Sequence, residues 1–124
     1  MAEALLAEET ARPIILPDLY AMIDNPKLPW EPMRPGIEIH RLYRWPAGQS
    51  AALLRYAPGA SLTPHRHVAF EHIFVLTGSQ IDENGLHEAG ALLIHPPGTR
   101  HSITTPTGCI VLAIWERPVV FEEL

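Results

Sequence analysis

The sequence of 124 residues contains one cysteine, Cys109, so an intramolecular disulfide is excluded. A reducing, cytoplasmic location is the expectation that goes with this. Basic residues are also few. Nine Lys and Arg stand against 14 Asp and Glu, for a net charge of −5. They form no run, which argues against a nucleic-acid partner, since phosphates call for a basic face. No apolar stretch approaches the ~20 residues that cross a bilayer. Residues 1–10 carry Glu3, Glu8 and Glu9 where a signal peptide carries Lys or Arg. A soluble chain with no membrane partner is therefore expected. No long amphipathic helix fits after residue 10, although residues 2–9 could form two helical turns. The abundant residues are 13 Pro and 8 Gly, set within a composition that is 47% hydrophobic. That is enough apolar material for one core, and the length suits one domain.

Short runs rich in Val, Ile, Leu and aromatics lie between the prolines and glycines, which predicts an all-β sandwich or barrel. The expected strands are 36–45, 50–57, 71–77 (ended by Gly78), 80–83, 86–88, 91–95, 101–104 and 110–115. A possible edge strand covers 119–121. Asn84-Gly85 between two of these runs is a strong hairpin signal. Residues 11–35 differ, because Pro13, Pro17, Pro26, Pro29, Pro32 and Pro35 forbid a central strand there. Ile14, Ile15, Leu16, Leu28 and Trp30 lie among them. An arm over 1–35, extended across the barrel or a second subunit, explains that apolar content; the barrel then occupies 36–124.

Two segments carry chemistry. In the first, Gly59 is followed by His65, His67, Glu71 and Gly78. His65 and His67 are two apart, so on an extended backbone their imidazoles share a face. Glu71 opens the next strand and can return to the same point if 68–70 form a short turn. In the second segment, Gly90 is followed by Pro96-Pro97-Gly98 and then His101. The stiff Pro-Pro-Gly turn fixes where His101 begins its strand. His101 becomes a fourth metal ligand if that strand lies beside the first set.

These segments resemble the two sequence motifs of the cupin superfamily. The first matches at Gly59, His65, His67, Glu71 and Gly78. The second matches at Gly90, Pro96, Gly98 and His101, and departs where Thr105 stands in place of the usual Asn. The resemblance implies a jelly-roll barrel, a double-stranded β-helix, with His65, His67, Glu71 and His101 as metal ligands. A looser likeness covers 78–115 and includes Asp82-Glu83-Asn84-Gly85, Ala89-Gly90, Pro96 to Ser102 and Gly108-Cys109. This stretch is similar to the cupin domain of ChrR-type anti-sigma factors. Residues 1–58 hold only His40 and no Cys, so the zinc-binding helical domain by which those proteins grip a sigma factor is not expected.

Other residues have plainer readings. His72 follows Glu71 on a strand and points to the opposite face. His40 and His87 read as solvent-facing, and Arg100 as turned toward solvent or an acid. Glu8, Glu9, Glu122 and Glu123 read as ordinary solvated termini. His95 could line the barrel mouth. Either Arg55 or Tyr56 could face the cavity, with the register open. Trp115 reads as core or interface, and Cys109 as a small buried residue.

Nitrogen and oxygen donors without a thiolate suit one divalent transition metal, Fe, Mn, Ni, Cu or Zn, with open coordination positions. The implied function is a metal-dependent enzyme, dioxygenase-like or lyase-like, that chelates an oxygen-rich small molecule. Glu71 is a candidate proton carrier if it leaves the metal. The alternative is a non-catalytic ChrR-like sensor or ligand-binding module. A homodimer exchanging its arms is expected. Metal affinity should fall below about pH 6.5 as the histidines protonate.

Overall fold

The structure is a computed structural model in which residues 12–122 are described. The helical turns expected over 2–9, and Glu8, Glu9 and Glu123, lie outside the described residues. In chain order the elements are α1 (Leu19–Asp24), β1 (Glu31–Arg34), β2 (Ile37–Arg44), β3 (Ser50–Tyr56) and β4 (Ser61–Arg66). There follow β5 (Glu71–Asp82), β6 (Gly85–Glu88), β7 (Leu92–His95), β8 (Arg100–Thr104), β9 (Cys109–Trp115) and β10 (Val120–Phe121). All strand pairings are antiparallel, in the order β1-β2-β3-β9-β5-β8-β4-β10, with β6 and β7 also on β5. This is the all-β curled sheet expected of the sequence. Among the described residues, no helix is long and apolar enough to cross a membrane.

β5 organises the barrel. Its first half pairs with β7 and β9, and its second half with β6 and β8. The sequence reading ended this strand at Gly78 and began another at Gln80. Instead one strand bends through Gly78, whose φ of +73° suits a residue without Cβ. A Cβ there would lie 2.1 Å from the Gly108 carbonyl oxygen, so the bend also brings two backbones into contact. The bend carries Glu71 and Asp82, at opposite ends of β5, to the same histidine cluster.

The inner core includes Ile37, Ile39, Leu54, Tyr56, Leu62, Ile73, Val75, Ile103 and Val111. Burial alternates along β9, where Cys109, Val111 and Ala113 point inward. β3 does not alternate: Ala51 to Leu54 are all buried. Its outer face is covered because Leu53 and Leu76 pack against Ile23 of α1, with Leu28 and Trp30 beside them. α1 was not read from the sequence. It is a six-residue helix started by Asp18, whose side chain accepts the Ala21 N–H at 3.0 Å.

β1 and β4 were also missed. β1 falls within the proline-rich stretch and is tolerated because, among the described residues, it is an edge strand pairing only with β2. β4 contains Pro64, and its register with β8 shifts between Leu62 and His65, the kind of irregularity that accommodates a proline.

Candidate metal centre

The two strands that meet at the site bring their histidines together through register. His65 on β4 is the direct partner of His101 on β8. His67 follows just past β4, where its N–H donates to the Thr99 carbonyl at 2.8 Å. Residues 67–70 turn the chain and Glu71 opens β5. One ligand atom from each of His65, His67, Glu71 and His101 lies within 4.8 Å of the others. All four residues are at most 4% exposed.

Hydrogen bonds decide which ring nitrogen of each histidine is free. His65 Nδ1 lies 3.1 Å from the Thr63 carbonyl, which can only accept, so Nδ1 carries the proton. His67 Nδ1 lies 2.9 Å from Thr99 Oγ1. That hydroxyl already donates to the Pro96 carbonyl at 2.7 Å, so it accepts from His67. His101 Nδ1 donates to Asp82 Oδ2 at 3.3 Å. Each imidazole is therefore fixed with its Nε2 lone pair available, the arrangement by which outer partners orient ligating histidines. His67 Nε2 and His101 Nε2 are buried and have no hydrogen-bond partner among the described residues.

Glu71 completes the set. His67 Nε2 sits 2.9 Å from Glu71 Oε1 and His101 Nε2 sits 3.9 Å from it. Both nitrogens thus face the same carboxylate oxygen, an arrangement that a shared metal cation would satisfy. Both strands flanking β5 hold the carboxylate in place. His95 and Trp115, each paired in register with Glu71, donate to it from β7 and β9. Trp115 Nε1–H reaches Oε2 at 2.6 Å and His95 Nδ1 reaches Oε1 at 3.0 Å. Burial works against the charged carboxylate, but the hydrogen bonds it accepts, among them those from His95 and Trp115, outweigh it and hold Glu71 well below the usual range. Burial, with His65 and His95 close by, pushes His101 down to about 4, and burial also lowers His65. These rings are thus neutral at pH 7, as ligation requires. Neutral Nε2 donors, one carboxylate and buried lone pairs without partners fit a divalent metal.

The remaining candidates fall as follows. His95 is buried and stacks on His67 at 4.7 Å with a 15° interplanar angle, so it belongs to the cluster and not only to its mouth. Tyr56 faces the interior, and burial raises its hydroxyl far above its ordinary value. Arg55 turns outward to Glu38 at 2.8 Å and stacks over Trp30. His72 faces away, beside Ile94 and Ile114. Arg100 pairs with Glu122 at 2.7 Å, so Glu122 is more than a solvated terminus. Cys109 is buried, as expected.

Three readings need correction. His87 is not solvent-facing: its Nε2 lies 2.8 Å from the buried Asp82. His40 is half-buried, its Nδ1 2.8 Å from the Pro29 carbonyl, because residues 28–30 fold over it. Trp115 is not merely core, since it grips Glu71. Sequence reasoning also missed Asp82 and Thr99. A polar residue at an inward position two before the Asn84-Gly85 turn was the available signal for Asp82.

Comparison with known proteins agrees with this fold. Residues 20–119 match the ChrR cupin-like domain family, and the chain belongs to that family. No curated protein matches it. Among solved structures, a protein of unknown function with a cupin-like fold from Ralstonia eutropha JMP134 is 24% identical, with a TM-score of 0.66. That alignment covers 70% of this chain and 59% of the other, so the chain spans less than two thirds of that relative's length. The anti-sigma ChrR–SigE complex of Rhodobacter sphaeroides is 24% identical, with a TM-score of 0.68, covering 93% of this chain and 67% of that one. An acetylacetone dioxygenase from Acinetobacter johnsonii is 18% identical, with a TM-score of 0.71, covering 76% and 72%. At these identities the likeness shows the cupin fold alone.

Proposed function

We propose that this chain holds one divalent transition-metal ion through His65, His67, Glu71 and His101 and acts as an enzyme on a small, oxygen-rich substrate. The observation that carries the reading is the convergence of buried, partnerless Nε2 lone pairs on a single carboxylate oxygen. Fe, Mn, Ni, Cu or Zn bound there would supply Lewis acidity or oxygen activation, with positions left for two substrate oxygens. Asp82, Thr99 and the Thr63 carbonyl hold the three rings in the ligating tautomer. Trp115 and His95 orient Glu71, whose carboxylate would take and return a substrate proton only on leaving the metal. Leu62, Ile73 and Ile103 in the interior keep water out. The dioxygenase-like version draws support from the fold shared with the Acinetobacter johnsonii acetylacetone dioxygenase. Iron-reconstituted protein should consume oxygen with a diketone or an enediol. No consumption, and no substrate conversion with any of the five metals, would remove the enzyme reading.

A second reading, a ChrR-like sensor that passes ligand or redox state to a protein partner, is favoured by the outer face of β5, β7 and β9. Ile94 and Ile114 flank His72 there and are 53% and 40% exposed, with Leu92 at 58%. The exposed Ile14, Ile15 and Leu16 of the arm are a segment of matching character. Exchange of these arms in a cytoplasmic homodimer would cover the same face, and it then counts against the sensor reading. Ile94→Lys should then convert a dimer to a monomer by light scattering, and a wild-type monomer would count against that exchange.

A further inference from the structure

Among the described residues the metal-binding atoms are walled in. His67 Nε2 and His101 Nε2 are buried, and all four ligand residues are at most 4% exposed. A small molecule reaches them only if a side chain moves. The end of the barrel beside Glu71 is laced together by backbone. His67 N–H donates to the Thr99 carbonyl and Gly98 N–H returns to the His67 carbonyl, both at 2.8 Å. Glu116 N–H donates to the Phe70 carbonyl at 3.1 Å. Around the barrel, strand pairing is continuous from β1 through β9 and β5 to β10.

The sheet is interrupted where those two ends face each other. β1 and β10 do not pair with one another among the described residues, and side chains bridge them instead. Register shifts between Pro32 and Arg34, and Arg34 shares the face of its partner Ile37, an inner-core residue. The Arg34 guanidinium carbon lies 3.7 Å from the centre of the Phe121 ring. Phe121 is the register partner of the ligand His65, and the two rings lie 5.5 Å apart. Arg34 also lines a groove of about 560 Å³ with Met33, Ile37 and Ala57. Groove, Arg34, Phe121 and His65 therefore follow one another in direct contact.

Phe121 is half-buried and sits on a strand of only two residues. That strand is fastened by its pairing with β4, by the Glu122 N–H to the Pro64 carbonyl at 2.9 Å, and by the exposed Arg100–Glu122 pair. An exposed ion pair contributes little. So short an edge segment opens locally far more readily than the paired strands of the core.

We propose that Phe121 is a specificity-determining residue: its ring is the gate between the β1–β10 seam and the metal centre, and it sets the size of the chelating molecule admitted. The proposal rests on the proposed chelation at His65, His67, Glu71 and His101. Swinging the ring away from His65 gives up the Arg34 contact and uncovers that side of the cluster. A broad planar ligand needs the full swing, and a small one needs less.

The test loads full-length protein with Co(II) and mixes it with acetohydroxamate or benzohydroxamate. These share one chelating group and differ by methyl against phenyl. Stopped-flow measurement of the visible bands of the metal gives association and dissociation rates. Wild type should take up benzohydroxamate about tenfold more slowly than acetohydroxamate, because the ring must move first. In Phe121→Ala both rates for benzohydroxamate should rise together by about tenfold, with Kd within about threefold of wild type. A gate lowers the barrier in both directions, whereas a residue that only supported His65 would change Kd. Phe121→Trp, which keeps the seat filled, should slow both probes. Phe70→Ala removes an exposed ring that stacks on the outward His72 at the laced end, and it should change neither rate. Unchanged rates in Phe121→Ala, or a weakened Kd with an unchanged association rate, would overturn the proposal and leave chelation standing. Equal acceleration by Phe70→Ala would overturn it too, by putting the passage at that end. If neither probe changes the spectrum of fully loaded protein, the chelation reading falls and takes the proposal with it.

Discussion

Asp82→Asn isolates the tautomer argument from the ligands themselves. Asp82 Oδ1 accepts from the Asn84 N–H and from His87 Nε2, both at 2.8 Å, while Oδ2 accepts from His101 Nδ1 at 3.3 Å. These contacts hold the carboxyl low despite its burial. An asparagine keeps its single oxygen on the side with two donors, so its NH2 group faces His101. His101 then either sets one N–H against another or moves its proton to Nε2, which consumes the lone pair aimed at the metal. Loss of such an outer partner weakens metal affinity about 10- to 100-fold, or about 1.5 to 3 kcal/mol. Competition against a chelator with Zn(II) or Co(II) measures this, and circular dichroism checks that the barrel is intact. Arg100→Gln serves as the control, since it breaks only the exposed pair with Glu122 and should leave affinity unchanged. An Asp82→Asn protein that is folded and binds within twofold of wild type would refute the reasoning.

The same structure predicts effects on stability. Because burial holds His101 at about 4 against an ordinary 6.5, the unfolded chain takes up a proton between those values that the folded, metal-free protein refuses. Stability of the metal-free protein should fall as pH drops from 6.5 and level off for this group near 4, a loss of about 3 kcal/mol. Urea midpoints unchanged from pH 7 to pH 4.5 would contradict it. Metal affinity should correspondingly persist below pH 6.5, where the sequence alone placed its loss. Gly78→Ala and Gly90→Ala both put a side chain at positive φ, +73° and +96°, but only the first meets backbone atoms. Gly90→Ala should cost about 1–2 kcal/mol, whereas Gly78→Ala should exceed about 4 kcal/mol. Equal costs by denaturant titration would mean that the bend in β5 relaxes freely.

The parts of this site that were legible in the sequence are those set by local periodicity. His65 and His67 share a face because they are two apart on extended backbone. Glu71 returns through a three-residue turn, and the rigid Pro96-Pro97-Gly98 turn positions His101. The residues that tune the ligands were not legible, because they depend on register across strands far apart in sequence. Trp115 and His95 reach Glu71 only through pairings over 44 and 24 residues. Asp82 reaches His101 only because β5 bends at Gly78, a glycine that reads equally well as a terminator. β4 was hidden by Pro64, and β1 by Pro32 and Pro35, because irregular or edge pairing cannot be read from composition. α1 is too short to show a helical period.

The most direct measurement is the metal content of the purified full-length protein by elemental mass spectrometry, beside His101→Ala. The account predicts about one divalent ion per chain in wild type and near-complete loss in the variant. Wild-type protein that remains metal-free after reconstitution with Fe, Mn, Ni, Cu and Zn in turn would contradict it.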